Sequence, residues 1–84
     1  MKPAYVDYTQ YGEPHYTRYA RWRMGLRYIT TDDVWWVLAN HEIDRPGQRP
    51  ERREVIGRPG LRRIMVVIEP DERPVLVVNA IPVR

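Results

Sequence analysis

Ile64-Met65-Val66-Val67-Ile68 constrains this chain more than any other stretch. Five consecutive apolar residues leave no side for water, so a strand built from them needs cover on both faces. Turn formers bound the run: Gly57-Arg58-Pro59-Gly60 before it and Pro70-Asp71-Glu72-Arg73-Pro74 after it. The spacing predicts a long central strand over Leu61–Glu69, a short strand over Arg52–Ile56 and a third over Val75–Ile81. Pro82 predicts that the third ends there or lies at an edge. Asp44-Arg45-Pro46-Gly47-Gln48-Arg49-Pro50, rich in proline and glycine, is expected to be a loop.

The residues ahead of these strands follow a helical period. Pro14 can open a helix where its missing N–H costs nothing, giving a first helix over 15–27, with Gly25 weakening its last turn. Thr30, followed by Thr31-Asp32-Asp33, is an N-cap with acids where the helix dipole favours them. It starts a second helix over 31–41 that places Val34, Val37, Leu38 and His41 on one face, with Trp35 on its flank. Trp36 and Asn40 point elsewhere, and the outlying tryptophan reads first as a lid over the core edge and second as a partner contact. The order α-α-β-β-β implies an α+β fold, two helices on one face of a three- to four-stranded antiparallel sheet. Residues 1–14, tyrosine-rich and without period, are expected to form an arm that packs loosely or docks on a partner, and residues 15–84 a single domain.

The first helix carries its charges in an unusual place. At roughly 100° per residue, Leu26, Tyr19, Tyr16, Ala20 and Met24 form an apolar arc, and Arg23 and Arg27 fall inside it. Burying an unpaired guanidinium costs several kcal/mol, on the order of the penalty for any lone charge. Two arginines there imply either an internal ion pair, with Glu54 or an acid of the second helix as partner, or a basic site that holds an anion.

Length and charge narrow the classes. Eighty-four residues support one modest core. The absence of cysteine excludes a disulfide framework and thiolate metal sites and fits a reducing compartment. No apolar run reaches the roughly 18 residues of a membrane span, so the expectation is a cytoplasmic protein with no membrane partner. The net charge of +3 is unevenly spread: residues 15–28 hold +4, residues 45–63 hold +5, and residues 29–44 hold −4. Arginine accounts for thirteen of the fourteen basic residues, and it is the better fork for phosphate and the better stacker on bases.

Several chemistries drop out. His15 and His41, the only histidines, lack the spacing of a ligand pair on one helix, and there is no serine nucleophile or phosphate-binding glycine loop. Asp32/Asp33 and Asp71/Glu72 sit where caps and turns want acids. What remains is an arginine, tyrosine and histidine set with no cofactor. It suits cleavage of RNA by its own 2′-hydroxyl, or a non-catalytic anion site.

Residues 17–38 resemble a widespread family of small prokaryotic domains with the pattern T-x-H-A-x-x-R-M-x-x-R-x-I-[ST]-x-x-[DE]-V-x-x-[VA]-L. The matching residues are Thr17, Ala20, Arg23, Met24, Arg27, Ile29, Thr30, Asp33, Val34 and Leu38. The family in turn is similar to RelE/ParE-type toxins. That resemblance implies the toxin of a toxin–antitoxin module, an endoribonuclease without a metal, with RNA or the ribosome, a cognate antitoxin and a second copy of the chain as partners. Tyr19 stands where the pattern has histidine; the resemblance then implies a lost base, use of the Tyr19 phenol with help from neighbouring arginines, or substitution by His15, one turn earlier on the expected helix.

The catalytic candidates are therefore Arg23, Arg27, Tyr19 and His15, and the RNA-binding candidates Arg62, Arg63, Arg58 and Arg52. Arg62 and Arg63 point to opposite faces of a strand, so at most one can join a given site. Asn79 interrupts an apolar strand and must find a hydrogen bond, from a bulge, an edge or a substrate. The alternative functions are a non-catalytic RNA- or ribosome-binding module and an interaction protein on a degenerate toxin scaffold.

Overall fold

In the structure, a computed structural model describing residues 5–83, two helices cover one face of a five-stranded sheet. The order is β1 (His15–Tyr16), α1 (Arg18–Arg27), α2 (Thr31–Ala39), β2 (Ile43–Pro46), β3 (Arg53–Gly57), β4 (Arg63–Glu69) and β5 (Leu76–Val83). The first four residues of the expected arm, and Arg84 of the expected domain, lie outside the described residues.

The fold is α+β, but the sheet is larger than expected and mixed. Its strands lie in the order β1-β5-β4-β3-β2, with β1 parallel to β5 and the other neighbours antiparallel. Two short strands account for the correction. β1 is too brief to show a period, and backbone bonds from His15 N to the Val75 carbonyl (2.9 Å) and Thr17 N to the Val77 carbonyl (3.0 Å) hold it. β2 occupies the first part of the expected Asp44–Pro50 loop. Pro46 is tolerated because β2 is an edge strand, where a missing N–H need not break a ladder.

Side chains of β4 alternate cleanly. Ile64, Val66 and Ile68 are buried beneath the helices, joined by Val55 of β3 and by Val77 and Ala80 of β5. Ala20 and Met24 of α1, Val34, Val37 and Leu38 of α2, and Ile29 between them complete this layer. Met65 and Val67 look the other way and are only half-buried, so the cover expected on both faces of β4 is complete on the helix side alone. α1 packs chiefly on β5, and α2 on β3 and β4. Tyr8, from the segment expected as an arm, also belongs to the core, with its N–H bonded to the Leu38 carbonyl at 3.3 Å.

Both helices start later or end sooner than their periods suggest. Thr17, in extended backbone, caps α1 by accepting from Ala20 N at 3.0 Å. His15 is therefore a strand residue and not one helical turn before Tyr19. Thr30 caps α2 in a reciprocal box, accepting from Asp33 N while Asp33 accepts from Thr30 N, each at 3.0 Å. α2 ends at Ala39, so His41 lies beyond it and not on its core face. Its ring stacks on Tyr5 at 4.4 Å, with Nε2 2.8 Å from the Val6 carbonyl.

The buried face of α1 is also displaced from the expected arc. Ala20 and Met24 are buried, whereas Leu26 and Tyr19 are exposed. α1 lies over β5 near the sheet edge, so only a narrow strip of the helix meets the core.

Candidate functional site

Among the described residues no helix covers the other face of the sheet, and the alternation of β3, β4 and β5 furnishes it. Glu54, Met65, Val67, Asn79 and Ile81 line a depression of about 410 Å³, rimmed by Thr17, Tyr19, Gln48 and Arg52. Val78 enters the same lining because of an irregularity in the ladder. Val67 pairs with Asn79 but Ile68 pairs with Val77, so Val78 is the extra residue of a bulge.

Two ion pairs cross this face. Arg45 Nε lies 2.8 Å from Glu54 Oε1, and Arg52 Nε lies 3.2 Å from Glu69 Oε2. The Glu54 side chain is only 14% exposed while that of Arg45 is 53% exposed, so the acid is the better-sheltered member. Such partly solvated pairs contribute on the order of 0–1 kcal/mol. Their larger effect is to fix where the charges stand.

The two arginines of the α1 motif differ. Arg27 Nη1 donates to Asn79 Oδ1 at 3.2 Å and to the Ala80 carbonyl at 2.9 Å. Asn79 Oδ1 also accepts from Ala80 N at 2.9 Å. β1 covers only the start of β5, so Ala80 presents its N–H and C=O at an edge with no strand beside it among the described residues, and Asn79 and Arg27 satisfy both. This edge pairing is the source of the hydrogen bonds Asn79 requires.

Arg23 takes no part in an ion pair among the described residues, and neither Glu54 nor an acid of α2 reaches it. Its guanidinium carbon lies 5.9 Å from the Tyr19 ring centroid and 5.5 Å from that of Trp22. The Arg23 Nε is buried and has no hydrogen-bond partner among the described residues. Tyr19 lines the depression, whereas Arg23 reaches it only through its contact with the Tyr19 ring.

The remaining candidates scatter. His15 is exposed on β1, and its side chain makes no hydrogen bond among the described residues. Arg58 folds over its own hairpin turn onto the Leu61 carbonyl at 3.1 Å. Arg62 lies just before β4, not within it, and donates to the Tyr28 carbonyl at 2.6 Å. Arg63 approaches Glu42 at 3.8 Å. Of the four RNA-binding candidates, Arg52 alone lines the depression.

A separate polar group sits beside the core. Tyr8 donates from its hydroxyl to Asp44 Oδ2 at 2.5 Å, and Arg53 Nε donates to Asp44 Oδ1 at 2.9 Å. Burial, then the Asp44 carboxylate, pushes the Tyr8 phenol up to about 12. Burial also lifts the Tyr16 phenol to about 12, against the pull of Arg21. Among the described residues no three His, Asp or Glu side chains converge as a metal site would need, and no helix is long and apolar enough to cross a membrane.

Glu54 and Gln48 are site residues that sequence reasoning did not nominate. Glu54 alternates with Val55, which signals the opposite face, but its place in a depression depends on β2 and Arg45. Comparison with protein-family models, with curated proteins and with solved structures returned no match.

Proposed function

We propose that this chain binds RNA across the open sheet face and the adjoining flank of α1, and cleaves it without a metal. The observation that carries this is Arg23, a guanidinium packed by Tyr19 of the depression's lining, with no carboxylate of the described residues set against it. A cation left in that state is suited to a phosphate.

The residues around it suit transesterification. The substrate's 2′-oxygen attacks phosphorus, its proton passes to the Glu54 carboxylate, and the P–O5′ bond breaks. Tyr19 delivers a proton to the leaving 5′-oxygen, while Arg23 and Arg52 hold the charge on the phosphorane. The products are a 2′,3′-cyclic phosphate and a 5′-hydroxyl. Arg27 acts through Asn79 and the β5 edge, as a positioning residue. The likeness of residues 17–38 to toxin-related domains favours a place in a toxin–antitoxin module, with an antitoxin as protein partner.

A gel assay with unstructured RNA in EDTA tests this. The expected result is fragments ending in cyclic phosphate, lost in Arg23→Ala with the fold intact. The Arg45–Glu54 and Arg52–Glu69 pairs favour a second reading, a non-catalytic RNA- or ribosome-binding module, because they engage the acid and one of the cations of the face. Salt-steep RNA binding with no product would select it.

A further inference from the structure

We infer that the outward side of α1 is a stacking ledge for an unpaired nucleobase, built from Tyr19, Trp22 and Arg23. The inference rests on the RNA reading above and names the form of RNA that the face accepts: single-stranded, with at least one base free to leave its neighbours.

Tyr19 and Trp22 are 51% and 57% exposed, an unusual cost for two aromatic rings on a single helix. They do not cover one another. Their centroids are 6.0 Å apart at 60°, an edge contact in which neither ring stacks on the other. Arg23 lies by both rings and supplies a planar cation at their junction. From Pro14 to Thr31 the sequence contains no acid, while Arg18, Arg21, Arg23 and Arg27 all fall within it. Tyr19 also lines the depression, so the ledge runs directly into the face proposed for cleavage.

Exposed aromatic rings beside arginine match one ligand chemistry closely. A base removed from its stack offers a flat π-surface to the rings and a phosphate to the guanidinium. In an RNA duplex the bases are stacked on each other, and the narrow major groove admits no side chain. An acidic protein segment would also satisfy the arginines. It would not use two exposed rings flanking a guanidinium as well as a base does.

The test is fluorescence anisotropy with a labelled single-stranded RNA of about ten nucleotides, 2′-O-methylated to block cleavage. The same strand is also measured annealed to its complement and with alternate bases replaced by abasic units. The wild type is expected to bind the single strand about tenfold or more tighter than either form. Trp22→Ala should lose that tenfold preference and bind intact and abasic strands alike. Trp22→Phe should restore most of it, and Trp35→Ala should leave it unchanged. Salt dependence should match wild type in Trp22→Ala and flatten by about one unit in Arg23→Ala. Binding by Trp22→Ala equal to wild type, or equal binding of duplex and single strand, overturns the ledge while leaving RNA binding in place. Loss of all RNA binding at low salt, with an acidic peptide bound through Trp22 instead, overturns the ledge and the RNA reading together.

Discussion

Arg27 and Asn79 jointly close the exposed edge of β5, one meeting the Ala80 carbonyl and the other its N–H, with a 3.2 Å bond between the two side chains. Both residues are thereby tied to the last turn of α1 and to the bulged strand it packs on. Removing either leaves a partly buried polar group without a partner. Asn79→Ala and Arg27→Met are each expected to destabilise by about 1–3 kcal/mol in urea denaturation. Asn79→Asp, which keeps the acceptor, should recover most of the loss. Equal stability of all three to wild type would show that solvent satisfies the edge as well.

Arg23 should behave in the opposite way. Its buried Nε makes no hydrogen bond among the described residues, so folding gains little from its charge. Arg23→Met is expected to unfold within about 0.5 kcal/mol of wild type or to be more stable, while RNA affinity falls and its salt dependence weakens. A large loss of stability with RNA affinity retained would make Arg23 structural.

Alkaline pH should unfold the protein through its tyrosines. Tyr8 and Tyr16 titrate near 12 in the folded chain and near 10 when unfolded. Each raised phenol contributes stability that is fully present below about pH 10 and is lost as pH rises through about 12. Tyr8→Phe removes one titrating group and should flatten the decline over that window, though it loses the bond to Asp44 at neutral pH. Thermal melts from pH 8 to 12 read both effects, and an unchanged slope in Tyr8→Phe would contradict the assignment.

The N-cap of α2 gives a purely local check. Thr30→Ala removes the acceptor for Asp33 N and should cost about 1 kcal/mol of stability. Thr30→Ser should be close to neutral. RNA binding should be unaffected, since α2 lies across the sheet from the open face.

How legible each feature was depended on how local it is. Thr30 and Asp33 signal their cap within four residues, and Ile64–Ile68 declares a central strand through composition alone. β1 could not be seen because its two residues acquire a partner only when Leu76 and Val77 arrive beside them. β2 was hidden by Pro46, which an edge position excuses. The displaced face of α1 departs from the wheel at Leu26 and Tyr19, apolar by position but exposed, whereas Arg27 does turn inward, to the Ala80 carbonyl and the Asn79 side chain at a strand edge. Glu54 was visible as an acid opposite the core. That it would meet Arg45 and not Arg23 depends on the β2–β3 register, which the sequence does not display.

The seating of α1 on β5 also sets an order of assembly. The arginine-rich helix is synthesised early, yet the surface it rests on appears only once residues 76–83 have been added. Until then a nascent chain carries that helix unsupported, with its aromatic and cationic side chains not yet arranged against a sheet. Any activity that needs the helix and the open face together would therefore arise late in translation, and chains cut short before Leu76 should be inert.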